Sequence, residues 1–383
     1  MRSPRAAAGH QWAKNDINLH GDRPAKAGDK NPGTRMQPLK ALLVSDGRPG
    51  HFTLSEGILA AIARRRPVDI RRLEVRRPRL VPARVLSALT NHSVSPSRIL
   101  SHVYAVDPSA VPFADVIVSA GGDTLAANIA ISRLGGGLPN IFYGSLRRFK
   151  AADFALVLNS YARHSGDAKF LVTLKPNKLD PDDLLSSSSG KSLSVTNPPA
   201  TAGLLLGGDT KLMAFGTANW QRIAEFVRAA HAQAGTHWMV SNSRRTPDSV
   251  SDQFANMAAE TESPIVRFID VRQAGSGTLR EVFEACDALA VTADSSSMLS
   301  EAIWVRRPVV ALAPDGSSLT PDEQDYRLFL SNSGWTSTVS LTGLTPEIWA
   351  KSLAQLTPLT ANPQDLLAAE LQRRLPQLFY GKS

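Results

Sequence analysis

The sequence holds one cysteine, Cys286, in 383 residues. That excludes an internal disulfide and any zinc site built on cysteine pairs. In LREVFEAC this residue shares a helical face with Leu279, Val282 and Phe283, so a buried core thiol is expected rather than a nucleophile. A reducing compartment follows. No apolar run approaches the roughly 20 residues that cross a bilayer, and the first 35 residues lack the apolar centre of a secretory signal. The dinucleotide pattern G-x-G-x-x-G is missing. A lone GKS at Gly190–Ser192 is no Walker motif, because Leu185 stands where its first glycine belongs. Aromatic residues make up only 6% of the chain, and none falls in its most basic stretch.

What is present is a globular composition, 43% hydrophobic and 20% charged, in a chain long enough for two domains. Residues 1–37 read as a disordered extension, and Met36 stands just before the first periodic pattern. Asp16, Asp22 and Asp29 argue against a transit peptide. The net charge of +9 is uneven: residues 36–175 carry nineteen basic and nine acidic groups, and nine arginines lie between Arg64 and Arg84. A solvated face is the bland reading of that run. The functional reading is attraction to an anionic partner. Without aromatics to stack on bases, no nucleic-acid partner is expected, and an anionic membrane surface under the basic N-terminal half fits better.

Apolar strands alternate with amphipathic helices along most of the chain. ALLVS, VDIRRLEV, ADVIVSAGG, NIFYG and FALVLN read as strands, with helical periodicity in LSEGILAAIARR and TLAANIAISRL. Residues 179–202 break the pattern with Ser, Asp and Pro and form a linker. Strands resume with GLLLGG, HWMVS, PIVRFI, ALAVTA and PVVALA, and residues 346–383 read as closing helices. The alternation predicts α/β architecture: two Rossmann-like, doubly wound domains, 38–178 and 203–345, facing across a cleft.

Ligands of such sheets sit at the carboxyl ends of the strands, where several turns are polar or glycine-rich. In SNSRRTPD, Thr246 is placed to cap a helix opening at Pro247, with Arg244 and Arg245 just before its N-terminus, a setting that suits a diphosphate. A surface pair that steadies a loop is the plainer alternative. In TADSSSMLSEA, Ser295, Ser296 and Ser297 open another helix, and Glu301 lies one turn further on the same face, where it can reach ribose hydroxyls. An ordinary helix cap is the alternative there. Gly207 and Gly208 of LGGDT allow close approach, or form a tight turn without a ligand. In the first half, SDGRPGH (45–51) and SAGGDT (119–124) offer Gly47, Arg48, Gly50, Gly121 and Gly122 as a loop wall. Asp46, His51 and Asp123 there are candidate bases, with His51 at the turn tip.

SRRTP, TADSSSMLSEA and SDGRPGH, in that spacing over residues 38–345, resemble the bacterial relatives of the plant mitochondrial-fission (elongated-mitochondria) factor family. That family looks like GT-B glycosyltransferases. The resemblance implies a nucleotide-sugar donor held by the C-terminal domain and an acceptor held by the N-terminal one. Ser243, Arg244 and Arg245 would then hold the diphosphate, Ser295–Ser297 would form the phosphate-binding helix start, and Glu301 would hold the ribose. SDGRPGH takes the place of the GGTGGH turn of peptidoglycan-precursor N-acetylglucosaminyltransferases, differing in Asp46, Arg48 and Pro49. The expected function is sugar transfer from a nucleotide-sugar to a cell-envelope acceptor, a lipid-linked one among the candidates. The nucleotide-sugar is substrate, and no cofactor is expected. No metal is expected either, since arginines and helix dipoles can neutralise the diphosphate and PDD (181–183) lies in the linker. The expected location is cytoplasmic, with the inner face of the cytoplasmic membrane as a peripheral station. A non-catalytic GT-B-like scaffold in membrane or division processes and a sugar-nucleotide epimerase or hydrolase stay open as alternatives.

Overall fold

The strand–helix alternation builds two parallel sheets of six strands each. The computed structural model describes residues 37–78, 80–92, 94–187, 197–275 and 279–380. Residues 1–36 of the expected extension, and the GKS stretch of the expected linker, therefore lie outside the described residues.

The first sheet comprises β1 (Leu39–Ser45), β2 (Val68–Glu74), β3 (Val116–Ala120), β4 (Asn140–Tyr143), β5 (Leu156–Asn159) and β6 (Phe170–Val172). It is flanked by α1 (Pro49–Ala63), α2 (Ala83–Asn91) and α3 (Leu125–Leu134). The order is β2-β1-β3-β4-β5-β6 and every pairing is parallel. Both faces of β1 are covered because its successive residues point to opposite sides. Leu39, Ala41 and Leu43 pack with Ile58 and Ile62 of α1, while Leu42 and Val44 pack with Leu86 of α2 and Leu125 and Ile129 of α3. That explains why β1 reads as an almost continuous apolar run. Edge strand β2 is mostly exposed, and its Arg71 and Arg72 discourage pairing with a further strand. The sequence reading passes over β6, which at three residues is too short to show a period.

The second sheet comprises β7 (Thr201–Leu205), β8 (His237–Ser241), β9 (Ile265–Ile269), β10 (Ala288–Thr292), β11 (Val309–Ala313) and β12 (Thr336–Ser340). Its helices are α4 (Thr217–Ala234), α5 (Asp248–Ala258), α6 (Leu279–Ala285), α7 (Ser296–Trp304), α8 (Pro321–Asn332) and α9 (Pro346–Ala354). The order is β12-β11-β10-β7-β8-β9, again all parallel. Phe226, Trp238 and Trp349 form one aromatic nucleus, with the two indole rings 5.2 Å apart. Cys286 follows α6 and is fully buried, as its apolar spacing leads one to expect. Strand β12, TSTVS, carries too little apolar signal to stand out in the sequence.

By contacts the chain divides into residues 1–179 with 363–383, and residues 180–362. Within the segment read as a linker, residues 181–187 form a short helix and β7 begins at Thr201. The two closing helices part company. α9 stays with the second unit, and α10 (Pro363–Arg374) belongs to the first. There Leu367, Ala368 and Leu371 join the cluster beneath α1, and Asp365 receives a two-pronged ion pair from Arg64 at 2.7 and 2.8 Å. The physical reason is coverage, since α10 supplies apolar side chains to the same face of the sheet as α1. Among the described residues no helix is long and apolar enough to cross a membrane.

Candidate functional site

Strand order locates the places where loops part and leave room for a ligand. In each sheet the chain reverses its direction of growth at one point, and the loops on either side diverge there. That point falls between β1 and β3 in the first unit and between β7 and β10 in the second. The turns singled out in the sequence lie at these points or beside them.

In the second unit three segments converge. The turn after β7 donates Gly207 N–H to Thr292 Oγ1 at 2.6 Å and Gly208 N–H to Asp294 Oδ2 at 3.2 Å. A Cβ on Gly207 would run into the Asp294 carboxylate, and one on Gly208 into the Arg245 carbonyl. The close approach these glycines permit is thus between segments of the chain. Thr246 does not cap a helix. Its hydroxyl accepts from Ser243 N–H at 2.9 Å and faces the carbonyls of Leu206 (3.0 Å) and Gly207 (2.5 Å), one of which takes its proton. Pro247 holds the cap position and α5 opens at Asp248. The cause is direction: the Thr246 side chain is buried towards β7, which leaves it stapling two loops.

Arg244 is exposed and forms no hydrogen bond or ion pair with the described residues, so its guanidinium is available to a ligand. Arg245, 46% exposed, reaches Asp294 Oδ2 at 2.5 Å, while the Asp294 side chain is wholly buried and its Oδ1 has no hydrogen-bond partner. Asp294 is the residue that sequence reasoning missed, although it stands in TADSSS, directly beyond β10. Ser295 is the N-cap of α7, its Oγ accepting from Met298 N–H at 3.3 Å. Ser296 and Ser297 occupy the first turn, with Ser297 exposed, and Glu301 is half-buried one turn on. The buried Tyr326 hydroxyl, whose proton burial holds more firmly than usual, donates to Ser296 O at 3.1 Å.

The loop bearing Arg244 is anchored from behind by Asn242. Its amide donates to Ser251 Oγ at 2.9 Å and Asp270 Oδ1 at 2.8 Å, and its carbonyl oxygen accepts from Val271 N–H at 2.7 Å. The Arg272 guanidinium, then the Asn242 amide and Arg272 N–H, draw the Asp270 carboxyl from 3.8 down to about 2. A carboxyl held low in the folded state adds stability above its unfolded value, and that contribution fades as pH falls through the folded one. Asp270→Asn is therefore expected to unfold at lower urea than wild type near neutral pH, with the gap closing between about pH 4 and 2. A gap that stays constant over that range would contradict the account.

In the first unit, helix α1 begins earlier than the periodicity suggests, at Pro49, with Arg48 as N-cap. Proline suits this position because its missing N–H has no partner to lose there. His51 thus lies in the first turn of a helix rather than at a loop tip. Its Nδ1 is 2.8 Å from Asp46 Oδ2, where Asp46 is 3% and His51 29% exposed. A carboxylate can only accept, so Nδ1–H is the donor of this pair, and Nε2 is the ring nitrogen that Asp46 does not engage. Gly121 (φ +89°) stands so close to the imidazole that a Cβ would overlap the ring. Asp123 sits between Arg48 Nη2 at 3.2 Å and Arg77 Nε at 2.8 Å, and its carbonyl accepts from the Tyr104 hydroxyl at 2.9 Å. Arg77 was hidden among the other arginines of its run. Gly47 (φ +78°) turns the chain beside Glu74, Gly50 faces open space, and Gly122 lies under the Arg147 guanidinium.

Most of the basic run is committed elsewhere. Arg64 pairs with Asp365, Arg72 with Glu56, Arg76 with Glu74 and Arg77 with Asp123. Arg66 is buried on the carbonyls of Gln37 and Leu378. Among the described residues the run is therefore not one uniformly free cationic face, although Arg65, Arg71 and Arg84 stay exposed. Among the described residues no three His, Cys, Asp or Glu side chains gather as a metal-binding group.

Two all-parallel units with polar loops at their switch points define a GT-B-like protein. The profile of the mitochondrial fission ELM1 family matches residues 49–357, and the chain belongs to that family. No curated protein sequence matches it. Among solved structures it is similar to a protein from Listeria monocytogenes assigned as a UDP-N-acetylglucosamine 2-epimerase, at 11% identity, 90% of this chain, 97% of that one and a TM-score of 0.53. It is also similar to the UDP-GlcNAc 2-epimerase of Methanocaldococcus jannaschii, at 13% identity, 89% of this chain, 99% of that one and a TM-score of 0.51. A looser likeness, TM-score 0.47 at 13% identity over 88% of this chain and 100% of the other, is to MurG from Acinetobacter baumannii. At these identities the first two likenesses establish the fold alone.

Proposed function

We propose that the protein is a glycosyltransferase that moves a sugar from a nucleotide-sugar to an acceptor hydroxyl of the cell envelope, a lipid-linked acceptor being the expectation. The observation that carries this reading is Arg244, without a partner among the described residues, beside Arg245 in a loop stapled by Thr246 to the turn at the β7/β10 switch point. The N-terminus of α7, with Ser296 and Ser297 in its first turn, adds a second seat for phosphate oxygens. Arg244, Arg245 and that helix start stabilise the negative charge that grows on the diphosphate as it departs. Glu301, one turn along α7, takes the ribose hydroxyls.

In the first unit, His51 Nε2 removes the proton of the acceptor hydroxyl, whose oxygen bonds to the anomeric carbon. The bond to the nucleoside diphosphate breaks and carries its electron pair to the leaving oxygen. Asp46 holds the imidazole in the required tautomer and stabilises the cation that forms. Asp123 is neutralised by Arg48 and Arg77 and serves as the pillar of the loop.

The names of the two structural neighbours support a second reading, a sugar-nucleotide epimerase. It predicts turnover of a nucleotide-sugar without any acceptor. The donor site is tested by thermal shift against a nucleotide panel. A nucleoside diphosphate is expected to stabilise the wild type, with affinity reduced about 10- to 100-fold in Arg244→Ala, from the worth of a charged hydrogen bond, and also reduced in Glu301→Ala. If no nucleotide shifts the wild type, the donor site is lost from the proposal. The membrane arm is tested by flotation with anionic vesicles at physiological salt, where an unbound protein removes the membrane-bound acceptor.

A further inference from the structure

The arginines of the first unit fall into two groups. Arg48, Arg64, Arg72, Arg76, Arg77 and Arg133 each hold a carboxylate, and Arg66 is buried on carbonyls. The second group has no side-chain partner among the described residues; Arg65, Arg71 and Arg98 belong to it, and so do Arg84, Arg147 and Arg148. The last three are exposed, and none of their guanidiniums forms a hydrogen bond or ion pair with the described residues. Yet they line one cavity of about 330 Å³, together with Pro82, Ser87 and Phe149 and with no carboxylate among the described residues that line it.

Three uncompensated cations around one space repel each other, a cost that a folded protein ordinarily relieves by spreading charge or interleaving acids. A second cost sits at the same place. Arg147 has φ +54°, a left-handed conformation that burdens any residue with a Cβ. Strain of this kind persists where the surroundings impose it, and it collects at ligand clamps. Here it holds the Arg147 guanidinium over Gly122, where a Cβ would lie 2.7 Å from Cζ, at the turn beyond β3. The cavity draws one arginine from α2 and two from the β4–β5 connection, and planar guanidiniums match the tetrahedral oxygens of a phosphate, which several can grip at once. Phe149 and Pro82 add an apolar wall, so the cavity suits a phosphate ester or diphosphate better than a small inorganic anion alone.

We infer that this cavity is a phosphate-binding site of the first unit, taking a phosphate ester or diphosphate through Arg84, Arg147 and Arg148. The inference stands apart from the proposed sugar transfer and holds whether or not the second unit binds a nucleotide.

The test must keep the two units apart, so it is run in the Arg244→Ala background, which weakens the proposed donor site. Calorimetric titration with inorganic pyrophosphate is expected to show binding that drops at least tenfold when Arg147→Gly is added and again with Arg148→Ala. Glycine accepts the left-handed backbone, so Arg147→Gly is expected to leave Tm unchanged or raised while binding falls, a combination that a merely structural arginine would not produce. Arg71→Ala, which removes another exposed arginine without a side-chain partner among the described residues, should leave binding unchanged. A parallel flotation assay with phosphatidic acid vesicles separates the sources. Flotation lost in Arg147→Gly assigns the pocket to a lipid headgroup, and pyrophosphate binding without flotation assigns it to a soluble phosphate. Absence of both, or binding that survives Arg147→Gly with Arg148→Ala, overturns the inference.

Discussion

Replacement of His51 by asparagine is expected to lower sugar transfer by about 10²- to 10⁴-fold, the usual worth of a positioned general base. Asparagine fits the space and keeps a polar group near Asp46, but it cannot take a proton. Donor binding resides in the second unit under the proposed assignment, so nucleotide-induced thermal shifts should remain at wild-type size. The rate loss then appears in kcat rather than in donor affinity. Asp46→Asn is expected to act through the same imidazole, since an amide no longer fixes Nδ1 as the donor. Because both changes remove one unit of function, the double variant should be hardly worse than His51→Asn alone. Full additivity would mean that the two side chains work separately. Undiminished transfer in His51→Asn would remove this residue from the chemistry.

The second large effect concerns the last helix. Leu371 is fully buried among the residues beneath α1, although more than three hundred positions separate it from β1. Leu371→Ala removes its apolar contacts and leaves a cavity, a change that costs about 2–5 kcal/mol in well-packed cores. The affected region is the first unit, and spectroscopy can isolate it. Trp220, Trp238, Trp304, Trp335 and Trp349 all lie in residues 180–362, and the sixth tryptophan, Trp12, lies outside the described residues. Denaturation followed by far-UV circular dichroism should therefore gain an early transition that tryptophan fluorescence largely misses. An unchanged midpoint by both probes would show that α10 contributes little to this core.

Those two experiments also separate what each level of description contributes. By itself the sequence determined the class of fold, because apolar runs broken by amphipathic helical stretches leave a parallel sheet as the natural solution. It also marked turns that lie at or beside the switch points, since glycines, serines and arginines just beyond buried strands stand out against their surroundings. Short or polar strands were beyond its reach: β6 has too few residues for a period, and β12 is held by its neighbour β11 rather than by its own composition.

Only the tertiary structure decided which side chains meet. It paired His51 with Asp46, clasped Asp123 between Arg48 and Arg77, and set Asp294 against the Gly207 turn. It left Arg244 without a partner among the described residues while tying Arg245, two neighbours that look alike in sequence. It also dispersed an arginine run that reads as one basic face and sent α10 back to the first unit. The physical reason is range. Periodicity and turn chemistry act over a few residues, whereas ion pairs and shared cores join positions tens to hundreds of residues apart, and strand order alone brings those positions together.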